Sequence, residues 1–222
     1  MTIAPAVQPS PRESLFLSVL LTLLVAALVV SGWQPYERST WAMEVAPVFL
    51  VVPVLLATRT RFPLTTMLYG LIFTHALILM VGGAYTYARV PFGFWLQDVF
   101  GLARNPYDRI GHFAQGFVPA LAAREILLRN RLVRPAAMAS FLAVCVAMAV
   151  SACYELIEWG TAVWLGAAAT DFLGNQGDPW DTQSDMFMAL IGSTLAVVCF
   201  GRWHDRQIAA RMGVRSGAPA QG

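Results

Sequence analysis

Ala136–Leu165 reads AAMASFLAVCVAMAVSACYELIEWGTAVWL, and its only formal charges are Glu155 and Glu158, in the C-terminal half. A helix of this length would run about 45 Å at 1.5 Å per residue, against a bilayer core of about 30 Å. It is long and apolar enough to cross a membrane and to protrude, which carries the two glutamates to headgroup depth. Their i,i+3 spacing puts both carboxylates on one helical face.

The rest of the chain agrees. Of 222 residues 57 % are hydrophobic and 13 % charged, with a mean hydropathy of +0.58, whereas charged residues make up about a quarter of a soluble domain. Five more segments read as spans: Ser14–Gly32, Thr40–Ala57, Pro63–Tyr87, Ile110–Leu128 and Asp185–Gly201. The expected fold is all-α, a polytopic six-span transmembrane bundle with no internal repeat and no second globular unit. Residues 1–13 form an N-terminal segment, 14–203 the membrane domain and 204–222 a tail, disordered after 215 and holding His204 and Asp205 in solvent. Ile110–Leu128 carries His112, Gln115, Arg124 and Glu125, which are costly against lipid, so this span should pack among its neighbours. Between Ala88 and Arg109, the section Pro91–Phe100 is too short and polar to span. It reads as an interfacial or re-entrant piece on the outer side, near 91–102.

Arginine sets the orientation, since the chain has no lysine. Ten arginines fall at the N-terminus, in the second and fourth loops and in the tail, against four in the other loops. The positive-inside rule then puts both termini in the cytoplasm. Six of the seven tryptophans map to the outer side as an interfacial belt. The basic residues form no patch interleaved with aromatics, which argues against nucleic-acid binding. Cys145, Cys153 and Cys199 lie in apolar segments and read as small core hydrophobes rather than as a disulfide framework or a thiolate metal site.

In this frame acid gathers outside. Six of the 13 Asp and Glu residues (Glu155, Glu158, Asp171, Asp178, Asp181, Asp185) fall between Tyr154 and Asp185 with no arginine among them. Asp108 and His112 share a face at i,i+4, as do Asp181 and Asp185. Three spans thus bring Asp/His, Glu/Glu and Asp/Asp pairs to one depth. Oxygen and imidazole ligands without thiolate suit a divalent cation such as Mg²⁺, Mn²⁺ or Zn²⁺. Asp108, His112, Glu158 and Asp185 are the candidate ligands and Glu155 the candidate base. Asp178, Asp181, Tyr154, Trp159, Trp180 and Gln176 are candidate supports.

Each residue also has a plainer reading. Asp108 and Asp181 stand where a helix N-cap is wanted, and Thr182-x-x-Asp185 resembles a capping box. Gly177-Asp178-Pro179 reads as a turn, and His112 and His75 as hydrogen-bonded core histidines. Glu44 either faces the cluster or snorkels outward, and Glu125 is a paired interfacial charge. Capping cannot explain Glu155 and Glu158, late in a helix whose C-terminal end disfavours negative charge.

Asp108-Arg109-Ile110-Gly111-His112-Phe113, Arg124-Glu125, Tyr154-Glu155-x-x-Glu158-Trp159 and Gln176-Gly177-Asp178-x-Trp180-Asp181-x-x-x-Asp185-Met186 occur in that order. In these motifs the chain, from about Trp33 to Arg202, resembles the YjdF-like family of bacterial inner-membrane proteins, and more distantly the VanZ-like membrane family. The resemblance implies a multi-pass helical fold in the inner membrane and no assigned substrate or cofactor. A nucleophile elbow, a His-Glu-x-x-His and a P-loop are all missing, so the residues do not decide whether the protein is an enzyme. Three functions follow from the residues. The first is a divalent-metal site acting on or recognising a lipid or envelope head group, with membrane lipids as partners. The others are a small proton- or cation-coupled transporter and a non-enzymatic envelope assembly factor.

Overall fold

The computed structural model describes residues 10–165 and 176–213, and all regular structure among them is helical. The helices are α1 (Pro11–Trp33), α2 (Arg38–Thr58), α3 (Thr66–Tyr85), α4 (Pro91–Phe100), α5 (Tyr107–Arg129), α6 (Ala136–Leu165) and α7 (Asp181–Arg211). Five of them, α1, α2, α3, α6 and α7, are long and apolar enough to cross a membrane. The charged and polar residues of α5 keep it out of that group, yet it is the helix around which α3, α6 and α7 pack. Eleven of its 23 residues are buried, against one of 23 in α1. A polar helix is thus shielded by apolar ones, the arrangement its composition requires.

Helix ends follow their capping chemistry. Ser10 Oγ accepts from Glu13 N–H ahead of Pro11. Glu37 caps α2 by accepting from the N–H groups of Ser39 and Thr40. Partial burial pushes the Glu37 carboxyl up, but these bonds outweigh it and hold its pKa at about 2. Neither Asp108 nor Asp181 makes a cap: Pro106 and Trp180 occupy the N-cap positions, with no side-chain cap bond at either end.

Small residues decide how the inner helices pack. Along α6, Ala139, Ala143, Ala147 and Ser151 are fully buried at successive i,i+4 positions, and the next step is Glu155. Along α5 the steps Asp108, His112, Gly116 and Ala120 are all buried, and along α7 so are Asp185, Ala189, Gly192 and Ala196. A Cβ on Gly116 would lie 2.0 Å from the carbonyl oxygen of Ala189, and one on Gly192 2.1 Å from that of Phe113. The backbones of α5 and α7 therefore touch, as small-residue stripes allow. Each stripe ends in acid at the same end of the bundle.

Three expectations change. The last helix runs from Asp181 to Arg211 rather than from Asp185 to Gly201. Gly201, His204 and Ile208 continue its buried face, so His204 lies in the core and Asp205 in an ion pair instead of in a solvated tail. Arg211 pairs with Glu13, which brings the end of α7 to the start of α1. The cysteines lie on exposed helix surfaces, not in the core. Pro91–Phe100 is a ten-residue helix that buries Gly93 and exposes Phe92, Phe94, Trp95, Val99 and Phe100.

Candidate functional site

At the acidic end of the stripes, α5 presents Asp108 and His112 one turn apart, with His112 Nε2 3.5 Å from Asp108 Oδ1. His112 Nδ1 lies 3.1 Å from Gln115 Oε1, which can only accept, and 3.5 Å from Glu155 Oε1 on α6. With Nδ1 donating to Gln115, Nε2 and the Asp108 carboxylate face each other as two acceptors. A shared proton or a metal ion completes such an arrangement. Asp185 arrives from α7: Asp108, His112 and Asp185 each offer one ligand atom, all within 4.8 Å of one another. Metal–oxygen and metal–nitrogen bonds of about 2.0–2.6 Å fit inside that separation.

The carboxylates here are buried and short of donors. Asp185 is 1 % exposed and Glu155 5 %, and Asp185 Oδ1 and Glu155 Oε1 accept no hydrogen bond. Glu44 completes the wall from α2, also buried, its Oε2 accepting from Tyr154 Oη at 2.8 Å. Glu44, Asp108, His112, Tyr154 and Glu158 surround a cavity of about 20 Å³ together with Tyr87 and Gln115. That is room for one water or one cation, given that a water needs at least ~10–15 Å³, and too little for a head group. Tyr87 is pressed in by bare backbone, since a Cβ on Gly82 or Gly111 would lie 2.3 or 2.8 Å from its ring.

Asp178 and Asp181 serve a neighbouring structure. Arg104, in the loop before α5, lies 3.2 Å from Asp178 and 2.5 Å from Asp181, and Arg109 lies 3.7 Å from Asp178. The Gln176 side-chain amide accepts from Asn105 N–H at 3.1 Å and donates to Asn105 C=O at 2.9 Å, clamping this loop to the start of α7. Asp178 also accepts from Trp180 N–H, as its turn reading requires. Trp159 and Trp180 take no part in the cavity wall and are 64 % and 68 % exposed. Asp171 lies outside the described residues.

Tyr87 and Gln115 belong to the site although the sequence did not single them out as site residues, and of the two readings of Glu44 the structure has the one that faces the cluster. Gln115 follows His112 at i+3, a signal that was available. Glu44 and Tyr87 come from distant segments, and only packing places them.

A second polar cluster occupies the other end of α5. Glu125 is fully buried and accepts from Thr65 N–H at 2.9 Å, Thr65 Oγ1 at 2.8 Å, Arg129 Nη1 at 2.8 Å and His204 Nε2 at 3.0 Å. Arg124 donates to Ser140 Oγ at 3.0 Å and lies 2.7 Å from Asp205. Glu125 is paired as expected, and is fully buried within the bundle.

These features describe a multi-pass helical membrane protein with an acidic, histidine-containing cluster among its central helices. The chain belongs to the family described as "Predicted membrane protein (DUF2238)", which matches residues 16–206. It is 55 % identical over 205 residues to "Inner membrane protein YjdF" of Escherichia coli (strain K12), covering 92 % of this chain and 98 % of that protein. No solved structure matches. The protein is accordingly an integral, multi-pass inner-membrane protein.

Proposed function

We propose that the Asp108–His112–Asp185 cluster is a divalent-cation site, taking Mg²⁺, Mn²⁺ or Zn²⁺, on the periplasmic side of a six-span protein with both termini in the cytoplasm. Glu158 stands beside it across the cavity and Glu155 beside His112. The bound ion acts on, or recognises, a lipid or envelope head group presented at its mouth. The observation that carries this reading is the buried Asp185 carboxylate, one oxygen of which has no partner, with a ligand atom within 4.8 Å of those on Asp108 and His112. Carboxylates gathered in a low-dielectric interior must be balanced by a cation or bound protons, and a cation could bridge the phosphate of a head group.

Elemental analysis of the purified protein tests this reading. About one equivalent of divalent metal is expected, lost in Asp185→Asn and reduced in Glu155→Gln/Glu158→Gln; metal-free wild-type protein that binds none on titration would end it. An assembly factor that docks partners through its acids calls for dispersed, exposed carboxylates, which does not describe Asp185 and Glu155. The transporter reading draws support from His75 on α3, whose buried Nε2 has no hydrogen-bond partner. Ion flux through reconstituted protein that His75→Ala abolishes would favour it.

A further inference from the structure

We propose that the groove beside the acidic site, walled by Arg104 and Arg109, receives a phosphate group, of a lipid head group or of a free phosphate, and that it does so when the neighbouring cation is bound. This rests on the divalent-cation reading and names the ligand class of that site. Among the described residues the groove runs between Leu102, Arg104 and Arg109 on one side and Gln176 and Asp178 on the other, with a volume of about 280 Å³. The cavity at the carboxylates has about 20 Å³. A phosphate ester therefore fits the groove, which approaches the ~300 Å³ at which small-molecule sites begin, and does not fit the cavity.

The two guanidiniums supply the matching chemistry, because the planar fork of arginine pairs with phosphate oxygens as it does with carboxylates. In this structure both are engaged by carboxylates, whose oxygens meet guanidinium as those of a phosphate would. Arg104 spans Asp178 and Asp181, and the Arg109–Asp178 pair is long and partly solvated at 3.7 Å. Such a half-exposed pair contributes little, so Arg109 can exchange it for a phosphate at little cost.

The groove and the cation site are joined through the chain. Asp181, held by Arg104, is one turn from Asp185, and Arg109 adjoins Asp108. The acids of the cluster and groove outnumber the two arginines of the groove: Glu44, Asp108, Glu155, Glu158, Asp178, Asp181 and Asp185. Without a cation their field repels a phosphate. A divalent ion beside Asp108 and Asp185 offsets two of those charges, so ion and anion should each tighten the binding of the other, as linkage requires.

The test is calorimetric titration of Mn²⁺ into the full-length protein in maltoside detergent, with inorganic phosphate or with chloride at equal ionic strength. Phosphate in solution competes for Mn²⁺ and weakens its apparent affinity, so tightening is a stringent readout. About tenfold tightening is expected for the wild type, or ~1.4 kcal/mol. It should fall below about twofold in Arg104→Gln, whose Mn²⁺ affinity in chloride should rise as a positive charge beside Asp181 is lost; Arg109→Gln serves if that variant does not fold. Nanodiscs of phosphatidylcholine with or without phosphatidic acid identify the source. An Arg104-dependent effect of phosphatidic acid larger than that of inorganic phosphate assigns a lipid head group, and one no larger assigns a free phosphate. Wild-type protein that binds Mn²⁺ with no response to either probe overturns the groove and leaves the cation site standing. Tightening that survives in both arginine variants also overturns it, and wild-type protein that binds no Mn²⁺ overturns both.

Discussion

The two ends of α5 carry buried acids with opposite provision for them. Glu125 is met by Thr65, Arg129 and His204, a set of donors that spends both its oxygens on holding α3 and α7 against α5. Asp185, just as buried, has an oxygen with no donor, and Glu155, Asp108 and Glu158 gather near it with one imidazole between them. A satisfied buried charge is a joint, whereas the unsatisfied ones gathered here are, in the function proposed above, the place where a cation binds. The same residue type, on the same helices, does both jobs according to whether donors were folded in beside it.

Removing Glu125 should do the most damage to stability. Glu125→Ala leaves half-buried Arg129 and buried His204 facing no carboxylate and frees the Thr65 N–H, a loss of about 3–5 kcal/mol that thermal unfolding in detergent would register as a large drop. Glu125→Gln, which keeps an acceptor, should lose less. At the other end the sign reverses. Asp185→Asn should leave the metal-free protein as stable as wild type or more so, since it removes a buried, unpartnered charge. What it should lose is stabilisation by Mn²⁺, which at about 100 times Kd amounts to ~2.7 kcal/mol in the wild type. If Asp185→Asn instead destabilised the metal-free protein as Glu125→Ala does, the contrast between joint and site would fail.

Gly116→Ala tests the contact that holds the cluster together. Its Cβ would meet the Ala189 carbonyl, and relieving that overlap costs about 1–3 kcal/mol by parting α5 from α7. Mn²⁺ affinity should fall with it although no ligand has changed. The smallest effect is expected from Trp159→Ala and Trp180→Ala, at exposed residues outside the cavity wall; Mn²⁺ affinity should change by less than about twofold. A larger change would bring the tryptophans back into the site.

Much of this was legible in the residues, and the exceptions share a cause. Ala136–Leu165 declares its helix through thirty nearly uncharged positions, and the structure has the same bounds. Asp108 and His112 announce a shared face by their spacing. The extension of α7 to Arg211 was hidden because Arg202-Trp203-His204-Asp205-Arg206 reads as polar tail by composition, while its buried positions Gly201, His204 and Ile208 follow helical spacing. Capping was the natural reading of Asp108 and Asp181, and nothing local could show that Arg104 would claim Asp181 instead.

The sequence by itself determined that the protein is helical and membrane-embedded, because those properties follow from hydropathy and from backbone groups that must bond within their own segment in lipid. It also determined which acids share a helical face, because the helix has a fixed period. Only the tertiary structure decided that Glu125 is satisfied and Asp185 is not, that Glu44 reaches Tyr154, and that the arginines stand in a groove beside the acids. Those outcomes depend on how closely the small-residue stripes of α5, α6 and α7 let the helices approach, and hydrogen-bond partners tens of residues apart are chosen only when the backbones meet.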